Sequence, residues 1–355
     1  MTRRHSRLAL YFFYPSALVV IVAGLKMASQ VVIILFLSIF IASILTPLMV
    51  GLQRRGVPRS VALILLMGLI VGVLFVLAAL LGASLEGFAE HLPQYEAKLR
   101  ELLASGAAQM GEWGWKLDPQ LLLAGVDLKT FVSWGGKAAG NVGAFLSQAL
   151  LVLIGVGFIL FEAPYFDRKL ARIFRDRPES LENIALFGHT IQKYFMIKSF
   201  TSFLTGLAIT ITLIFFEIPY PVLWGFLGFL LNFIPVVGSL IAAIPALLLA
   251  LFYKDLSTVL WLTVAYVVIN NVISNLLEPK IMGDGLDLSP AVVFFSLIFW
   301  GWVLGPAGMF LAVPLTMTLK IALQSHPQSR WIATLLSNCA KGCGPAGEAQ
   351  AVTRG

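Results

Sequence analysis

The chain has 355 residues, of which 59% are apolar and only 12% are charged. Soluble domains carry about 25% charged residues, so this composition excludes a water-soluble globular protein and predicts a polytopic helical membrane protein. The net charge of +7 fits basic loops that face anionic cytoplasmic lipid, and it does not require nucleic acid as a partner.

Three apolar stretches near the N-terminus predict membrane spans, at residues 8–25, 31–50 and 61–81. The basic residues before the first span and the basic loop 51–59 are expected in the cytoplasm, because Lys and Arg mark cytoplasmic loops. The N-terminal run is similar to a signal peptide, but a second apolar run follows it at once, so we expect an uncleaved transmembrane helix. Residues 1–85 thus form a predicted three-helix membrane region.

Residues 86–140 form the one long polar region, which we expect on the periplasmic side. Apolar residues follow one another there at intervals of three and four, which is typical of a helix with one apolar seam. This seam packs on its own domain or on the membrane surface in one interpretation, and it forms an oligomer contact in the other. The seam consists of Leu85, Phe88, Leu92, Tyr95, Leu99 and Leu102.

Residues 141–323 form the predicted transport core, and residues 324–355 a cytoplasmic tail with a disordered end. The core begins with a fourth span at 141–161 and a basic cytoplasmic segment at 166–193. A fifth span at 195–216 is rich in Ser and Thr. Such hydroxyls line a polar path or bond back to the helices, and the pattern does not decide between the two.

Two later apolar segments, 222–252 and 288–323, are each interrupted by proline and glycine. Proline removes a backbone donor and glycine permits unusual dihedral angles, so we expect a broken helix in both. Together they form a weak internal repeat, as re-entrant hairpins or as kinked spans. About eight membrane segments are predicted in all. The breaks contain Pro235 and Gly238 in the first segment, and Gly305, Pro306 and Gly308 in the second.

Polar residues near these breaks are the candidate site, because an ionisable or amide group at membrane depth is expensive and is a functional candidate by default. An apolar segment at 259–269 runs into two asparagines and then a short charged loop, expected at about residues 278–287. An ordinary interfacial loop with Glu278 and Lys280 paired is the alternative. The candidates are the charged residues Glu278, Lys280 and Asp284 and the amides Asn232, Asn270 and Asn271. We find no catalytic, nucleotide-binding, cofactor or metal motif, which argues against an enzyme.

These residues also carry a resemblance to a known family, the AI-2E (autoinducer-2 exporter-like, PerM-type) membrane proteins. The resemblance covers nearly the whole chain and is strongest from about residue 193 to 320. The stretches that carry it are Tyr194-x-x-x-Lys198, Gly206, Ile218-Pro219-Tyr220, Ile234-Pro235-Val236-Val237-Gly238, Pro279-Lys280-Ile281-Met282-Gly283, Leu288-Ser289-Pro290, Gly305-Pro306-Ala307-Gly308 and Ala312-Val313-Pro314-Leu315.

The resemblance implies a transporter of the bacterial inner membrane. Family members are associated with autoinducer-2 export or with Na⁺(Li⁺)/H⁺ antiport, and homo-oligomers are expected. We therefore expect a secondary transporter with both termini in the cytoplasm, which moves a small polar solute or a monovalent cation or proton through the bilayer. Glu278 would be the coupling carboxylate, in a site where the two broken segments meet near the bilayer midplane. A passive channel and a membrane scaffold acting through residues 86–140 are the alternatives.

Overall fold

The computed structural model describes residues 16–112, 142–173, 175, 178–235, 237–282, 288–324 and 329–338, and these residues form helices with short connections. In chain order the helices are α1 (Ser16–Met27), α2 (Ser29–Arg54), α3 (Arg59–Glu112), α4 (Val142–Ile173), α5 (Pro178–Phe215), α6 (Pro221–Leu231), α7 (Val237–Tyr253), α8 (Leu256–Asn270), a π-helix (Asn271–Leu277), α9 (Glu278–Met282), α10 (Pro290–Leu304), α11 (Pro306–Gln324) and α12 (Arg330–Leu336).

The predicted class is confirmed: the chain is a polytopic helical membrane protein. Within the described ranges, five helices are long and apolar enough to cross a membrane. Large apolar side chains stand on their outer surfaces, for example Phe75 and Phe203, which are 74% and 60% exposed. Such exposure is unfavourable in water and is natural against lipid tails. The five are Ser29–Arg54, Arg59–Phe88, Gly188–Phe215, Leu256–Met282 and Pro306–Gln324.

Two helices are longer than the spans expected from hydropathy. The helix α3 runs without a break through the predicted boundary at residue 85 and ends at Glu112. The helix α5 joins the second half of the predicted basic cytoplasmic segment and the fifth span in one helix of 38 residues. The rest of the predicted periplasmic segment, the first residues of the first span and most of the C-terminal tail lie outside the described residues.

Contacts divide the chain into two compact units. Unit A comprises residues 1–55, 151–197 and 282–355, and unit B comprises residues 56–150 and 198–281. Within unit A, α2 packs closely on α4: the Ser38 hydroxyl donates to the Val152 carbonyl at 3.0 Å, and a Cβ at Gly155 would lie 2.3 Å from the Ser38 hydroxyl oxygen. Small residues are what allow membrane helices to approach this closely.

The first broken segment, in unit B, is a helical hairpin. The helix α6 packs along α7, and Leu223 and Trp224 of α6 share one buried cluster with Leu249 and Ala250 of α7. The arms have 11 and 17 residues, or roughly 16 and 26 Å, so both are shorter than the hydrocarbon core of about 30 Å. A side chain at Gly238 would place its Cβ only 1.8 Å from the Leu231 carbonyl oxygen, which explains the glycine at the turn.

The second broken segment, in unit A, is also a hairpin. The Trp300 indole donates to the Thr316 hydroxyl at 3.0 Å, although 16 residues of continuous helix would separate them by about 24 Å. The chain reverses at Gly305, whose φ of 69° favours glycine. A Cβ at Gly308 would lie 2.0 Å from the Trp300 carbonyl oxygen, so the two arms cross in close contact. Both segments are therefore hairpins and not single kinked helices, whereas their re-entry into the membrane stays a prediction.

The expected charged loop at about residues 278–287 is wrong as far as residue 282. Helix α8, the π-helix and α9 continue one another from Leu256 to Met282. Asn270, Asn271, Glu278 and Lys280 are therefore helical residues. The backbone amides in this stretch bond to carbonyls of the preceding turn. The helix therefore continues although it carries several polar side chains. Residues 283–287 lie outside the described part of the chain.

Candidate functional site

A buried ion pair lies between α5 and α9 in unit B. The Lys198 Nζ lies 3.0 Å from Oε1 and 2.9 Å from Oε2 of Glu278, so the ammonium contacts both carboxylate oxygens. The Lys198 side chain is 5% exposed and the Glu278 side chain 15%. Taking two charges out of water costs several kcal/mol per ion, so such a pair is weak evidence for stability and stronger evidence for a functional role.

A hydroxyl completes the surroundings of the carboxylate. The Thr201 Oγ1 lies 3.2 Å from Oε2 of Glu278 and 3.2 Å from the Lys198 carbonyl oxygen. Because a hydroxyl has one hydrogen, Thr201 donates to one of these oxygens at a time. Thr201 itself is fully buried. The carboxylate is thus held by two groups of α5, one charged and one neutral.

One helical turn away, an amide links three elements of unit B. The Asn232 Nδ2 donates to the Ser202 hydroxyl at 3.0 Å, and the Ser274 hydroxyl donates to the Asn232 Oδ1 at 3.3 Å. Ser202 lies one turn after Lys198, whereas Ser274 lies one turn before Glu278. The two helices therefore run antiparallel here, and polar contacts join them at two levels about 6 Å apart. We call the five residues Lys198, Ser202, Asn232, Ser274 and Glu278 the polar seam.

The turn of the first hairpin brings Asn232 to the seam. Asn232 directly follows α6, and Pro235 lies within the same turn, where its missing N–H removes one backbone donor. The helix α6 in turn packs tightly on α5. A Cβ at Gly206 would lie 2.7 Å from the Gly225 carbonyl oxygen, and a Cβ at Gly225 would lie 1.8 Å from the Thr210 hydroxyl. This glycine contact sets the distance at which Asn232 meets Ser202.

The π-helix brings Ser274 and Glu278 to the seam. π-helices are rare, and many of those that are found lie at functional sites. At its end, the Glu278 amide bonds to the Ile273 carbonyl, five residues earlier. The inward positions of this stretch include Ile273, Ser274 and Glu278, whereas Val272 and Leu276 face outward. The Leu256–Met282 helix thus combines an apolar outer face with a polar inner one.

The predicted site residues divide into those that the seam contains and those that it does not. Glu278 and Asn232 lie in the polar seam. Lys280 is exposed on α9, so the Glu278–Lys280 pair of the alternative interpretation is wrong: the partner of Glu278 is Lys198. Asn271 is exposed and bonds to its own helix through the Val267 carbonyl.

The remaining predicted residues have other positions. Asn270 is half-buried on α8, and its Nδ2 donates to the Tyr266 carbonyl at 3.0 Å. Asp284 lies outside the described residues. Gly305, Pro306 and Gly308 shape the second hairpin in unit A. That the two hairpins contribute to one site stays a prediction.

Lys198 was missed by the sequence interpretation, although a signal for it exists. It lies in a stretch where the flanking residues are apolar or hydroxylic, and a lysine at such a position needs a counter-ion. It also belongs to the Tyr194-x-x-x-Lys198 motif. Ser202 belongs to the Ser- and Thr-rich fifth span, whose hydroxyls the sequence left as a polar path or as bonds back to the helices, whereas Ser274 carries no such signal. Among the described residues, no group of three or more His, Cys, Asp or Glu side chains could hold a metal ion.

Comparison with known proteins agrees with this architecture. A family model described as "AI-2E family transporter" matches residues 16–328. The chain is 36% identical over 329 residues to a "Putative transport protein" of Haemophilus influenzae, an alignment that covers 91% of this chain and 94% of that protein. It is 35% identical over 324 residues to the "AI-2 transport protein TqsA" of Escherichia coli, with 91% and 94% covered. The chain therefore belongs to the AI-2E family of membrane transporters, which are transport proteins and not enzymes.

Proposed function

We propose that this chain is a secondary transporter that exports a small polar solute of the autoinducer-2 type across the bacterial inner membrane, with both termini in the cytoplasm. In this proposal, Glu278 binds and releases the coupling proton. The observation that carries it is the buried Lys198–Glu278 pair. The name of the Escherichia coli relative supports the solute, and the basic N-terminal and 51–59 segments support the orientation.

The geometry of the pair explains how a proton would drive a conformational change. While Glu278 is ionised, it neutralises Lys198 and ties α9 to α5. When Glu278 takes up a proton, Lys198 becomes a buried charge without a counter-ion, which costs several kcal/mol. That cost is relieved if the helices separate and water or solute enters. The seam therefore has two arrangements whose balance depends on one proton, as a coupled transporter requires.

The same pair argues against Na⁺(Li⁺)/H⁺ antiport as the main activity. A cation at Glu278 would have to displace the Lys198 ammonium, which already contacts both carboxylate oxygens. The cation and Lys198 would then be two buried positive charges beside one carboxylate. Export of a neutral solute avoids this repulsion.

Flux measurements in reconstituted vesicles test the proposal. The purified chain is inserted into vesicles loaded with autoinducer-2, and release is followed with and without an imposed pH gradient. We expect that a pH gradient accelerates release and that a proton ionophore abolishes this acceleration. Glu278→Gln removes the ionisable group, so its residual release should no longer respond to the gradient. A Na⁺ or Li⁺ gradient should have no effect.

Glu217→Gln is the matched control, because it makes the same chemical change in an exposed ion pair with Lys254. It should transport like the unsubstituted chain. Release that responds equally to the pH gradient in Glu278→Gln would remove Glu278 from the mechanism. Release unaffected by the ionophore in the unsubstituted chain would indicate a passive channel.

A further inference from the structure

Two buried polar atoms of α8 have no hydrogen-bond partner in the part of the chain that the structure describes. They are the Tyr266 hydroxyl and the Asn270 Oδ1. Tyr266 is only 3% exposed. The Asn270 amide nitrogen already donates to the Tyr266 carbonyl, which leaves the side-chain oxygen available as an acceptor.

The apolar surroundings of Tyr266 make the burial of its hydroxyl without a hydrogen bond energetically unfavourable. The ring belongs to an apolar cluster that includes Leu262, Trp224 and Leu249. A buried hydroxyl without a partner costs about 1–3 kcal/mol, whereas a phenylalanine ring would fill the same space without this cost. The Asn270 oxygen one turn later adds a second such group. The two atoms lie on adjacent turns of one helix, so a single bound ligand would supply both missing hydrogen bonds.

These two residues continue the polar seam along one helix face. Positions four residues apart lie on the same side of a helix, and the buried or half-buried positions here follow that spacing. The polar residues of this face are Tyr266, Asn270, Ser274 and Glu278. Asn270 lies 14 residues after Leu256 and 12 before Met282, hence near the middle of that candidate span, whereas Glu278 lies four residues from its end. The polar face thus extends from the ion pair to the middle of the membrane-spanning helix.

We infer that Tyr266 and Asn270 form the solute-binding part of this face, and that their ligand is a small neutral solute with hydroxyl groups. A solute hydroxyl donates to the Asn270 oxygen, and the Tyr266 hydroxyl donates to or accepts from a second oxygen of the same solute. Both protein groups are uncharged, and the Glu278 charge is already neutralised by Lys198. A cation would therefore be buried here without compensation. The inference rests on the proposed function and assigns its solute site.

Tyr266→Phe tests the site, because it removes one oxygen atom and keeps the ring. In vesicles loaded with a series of autoinducer-2 concentrations, we expect KM for release to rise about tenfold, the loss of one hydrogen bond, with kcat changed less than twofold. In detergent without solute, the unfolding midpoint should be unchanged or higher, since an unmet hydroxyl has been removed. The gain in midpoint on adding autoinducer-2 should shrink.

Two further variants complete the design. Asn270→Leu removes the amide oxygen at similar volume and should also raise KM. Tyr165→Phe makes the same change as Tyr266→Phe at an exposed tyrosine of α4 and should leave KM and the ligand-induced midpoint unaltered.

The outcomes separate this inference from the function on which it rests. If the unsubstituted chain transports autoinducer-2 and Tyr266→Phe keeps the same KM, the solute site is refuted and the transport function stands. A lower solute-free midpoint in Tyr266→Phe would reveal a structural hydrogen bond and would also refute the site. If the unsubstituted chain releases no autoinducer-2, the proposed function fails, and the site fails with it.

Discussion

Replacing Lys198 with Met and Glu278 with Leu, singly and together, separates the stability of the buried ion pair from its role in transport. Each replacement keeps a side chain of similar length that packs in an apolar site. The single variants leave one buried charge without its partner, and the double variant leaves none. The free energy of unfolding in detergent and the gradient-driven flux in vesicles are measured for all four proteins.

The magnitudes follow from the geometry. At a separation of about 3 Å and an effective dielectric constant of about 20, the attraction between the Lys198 ammonium and the Glu278 carboxylate is roughly 5 kcal/mol. Desolvation of the two ions offsets most of this attraction. Breaking a buried pair from one side costs about 3–5 kcal/mol. We expect the upper end for Glu278→Leu, because Lys198 is only 5% exposed, and the lower end for Lys198→Met, because Glu278 is 15% exposed and can move toward water.

The free energy of unfolding of the double variant should lie within about 1 kcal/mol of that of the unsubstituted chain, because a well-packed apolar pair often replaces a buried ion pair without loss of stability. The coupling energy of the cycle should then exceed about 3 kcal/mol, well above the 0.5 kcal/mol that independent sites show. Despite its stability, the double variant should not couple flux to a pH gradient. Lys254→Met breaks an exposed pair and should cause no measurable loss of either property.

Two results would refute this reasoning. Additive single and double effects would mean that Lys198 and Glu278 do not interact in the folded protein. A double variant that transports with the normal response to a pH gradient would show that an apolar contact can take over everything that the ion pair does. In that case the seam is structural, and the coupling group must be sought elsewhere.

The remaining predictions concern packing and pH. Gly225→Ala should prevent the close approach of α6 to α5, because its Cβ would lie 1.8 Å from the Thr210 hydroxyl. The unfolding midpoint and the flux of Gly225→Ala should both fall. Gly72→Ala, which has open space around its Cβ, serves as the control. An unchanged midpoint in Gly225→Ala would contradict the close packing of α6 on α5. At the start of α8, hydroxyl hydrogen bonds from Ser257 and then Thr258 lower the pKa of Asp255 to about 2. Asp255 should therefore stabilise the fold above about pH 4, the contribution being lost as the pH falls through 2, and Asp255→Asn should abolish this loss in unfolding scans.

Local features of the sequence predicted the two breaks correctly. Proline and glycine act on the backbone at their own positions, so the interruptions at Pro235 and Gly305 are readable without a fold. Whether the chain turns back or only bends depends on contacts between distant residues. The Trp300–Thr316 hydrogen bond decided this for the second segment, and hydropathy carries no information about it.

The same distinction explains the error at residues 278–282, where a loop was expected and the structure has a helix. Two asparagines and a charged run are typical of a loop in a soluble protein. Here the amide nitrogens of Asn270 and Asn271 donate to the preceding turn of their own helix, and Lys198 neutralises Glu278, so the helix continues. The sequence singled out Glu278 as the candidate carboxylate, and its alternative interpretation paired Glu278 with the neighbouring Lys280, because pairs close in sequence are the only ones that a sequence displays.

The motifs of the sequence indicated the transporter family only by resemblance, a membership that the family comparison then showed. Composition and local pattern determined by themselves that this chain is a helical membrane protein and where its helices break. These conclusions depend on the hydrophobic effect and on backbone chemistry, which act residue by residue. Only the tertiary structure decided that Lys198 neutralises Glu278 and that Asn232 joins Ser202 to Ser274. Those contacts link residues 30 to 80 positions apart, and they exist because the glycine contacts between α5 and α6 and the hairpin turn bring the helices together.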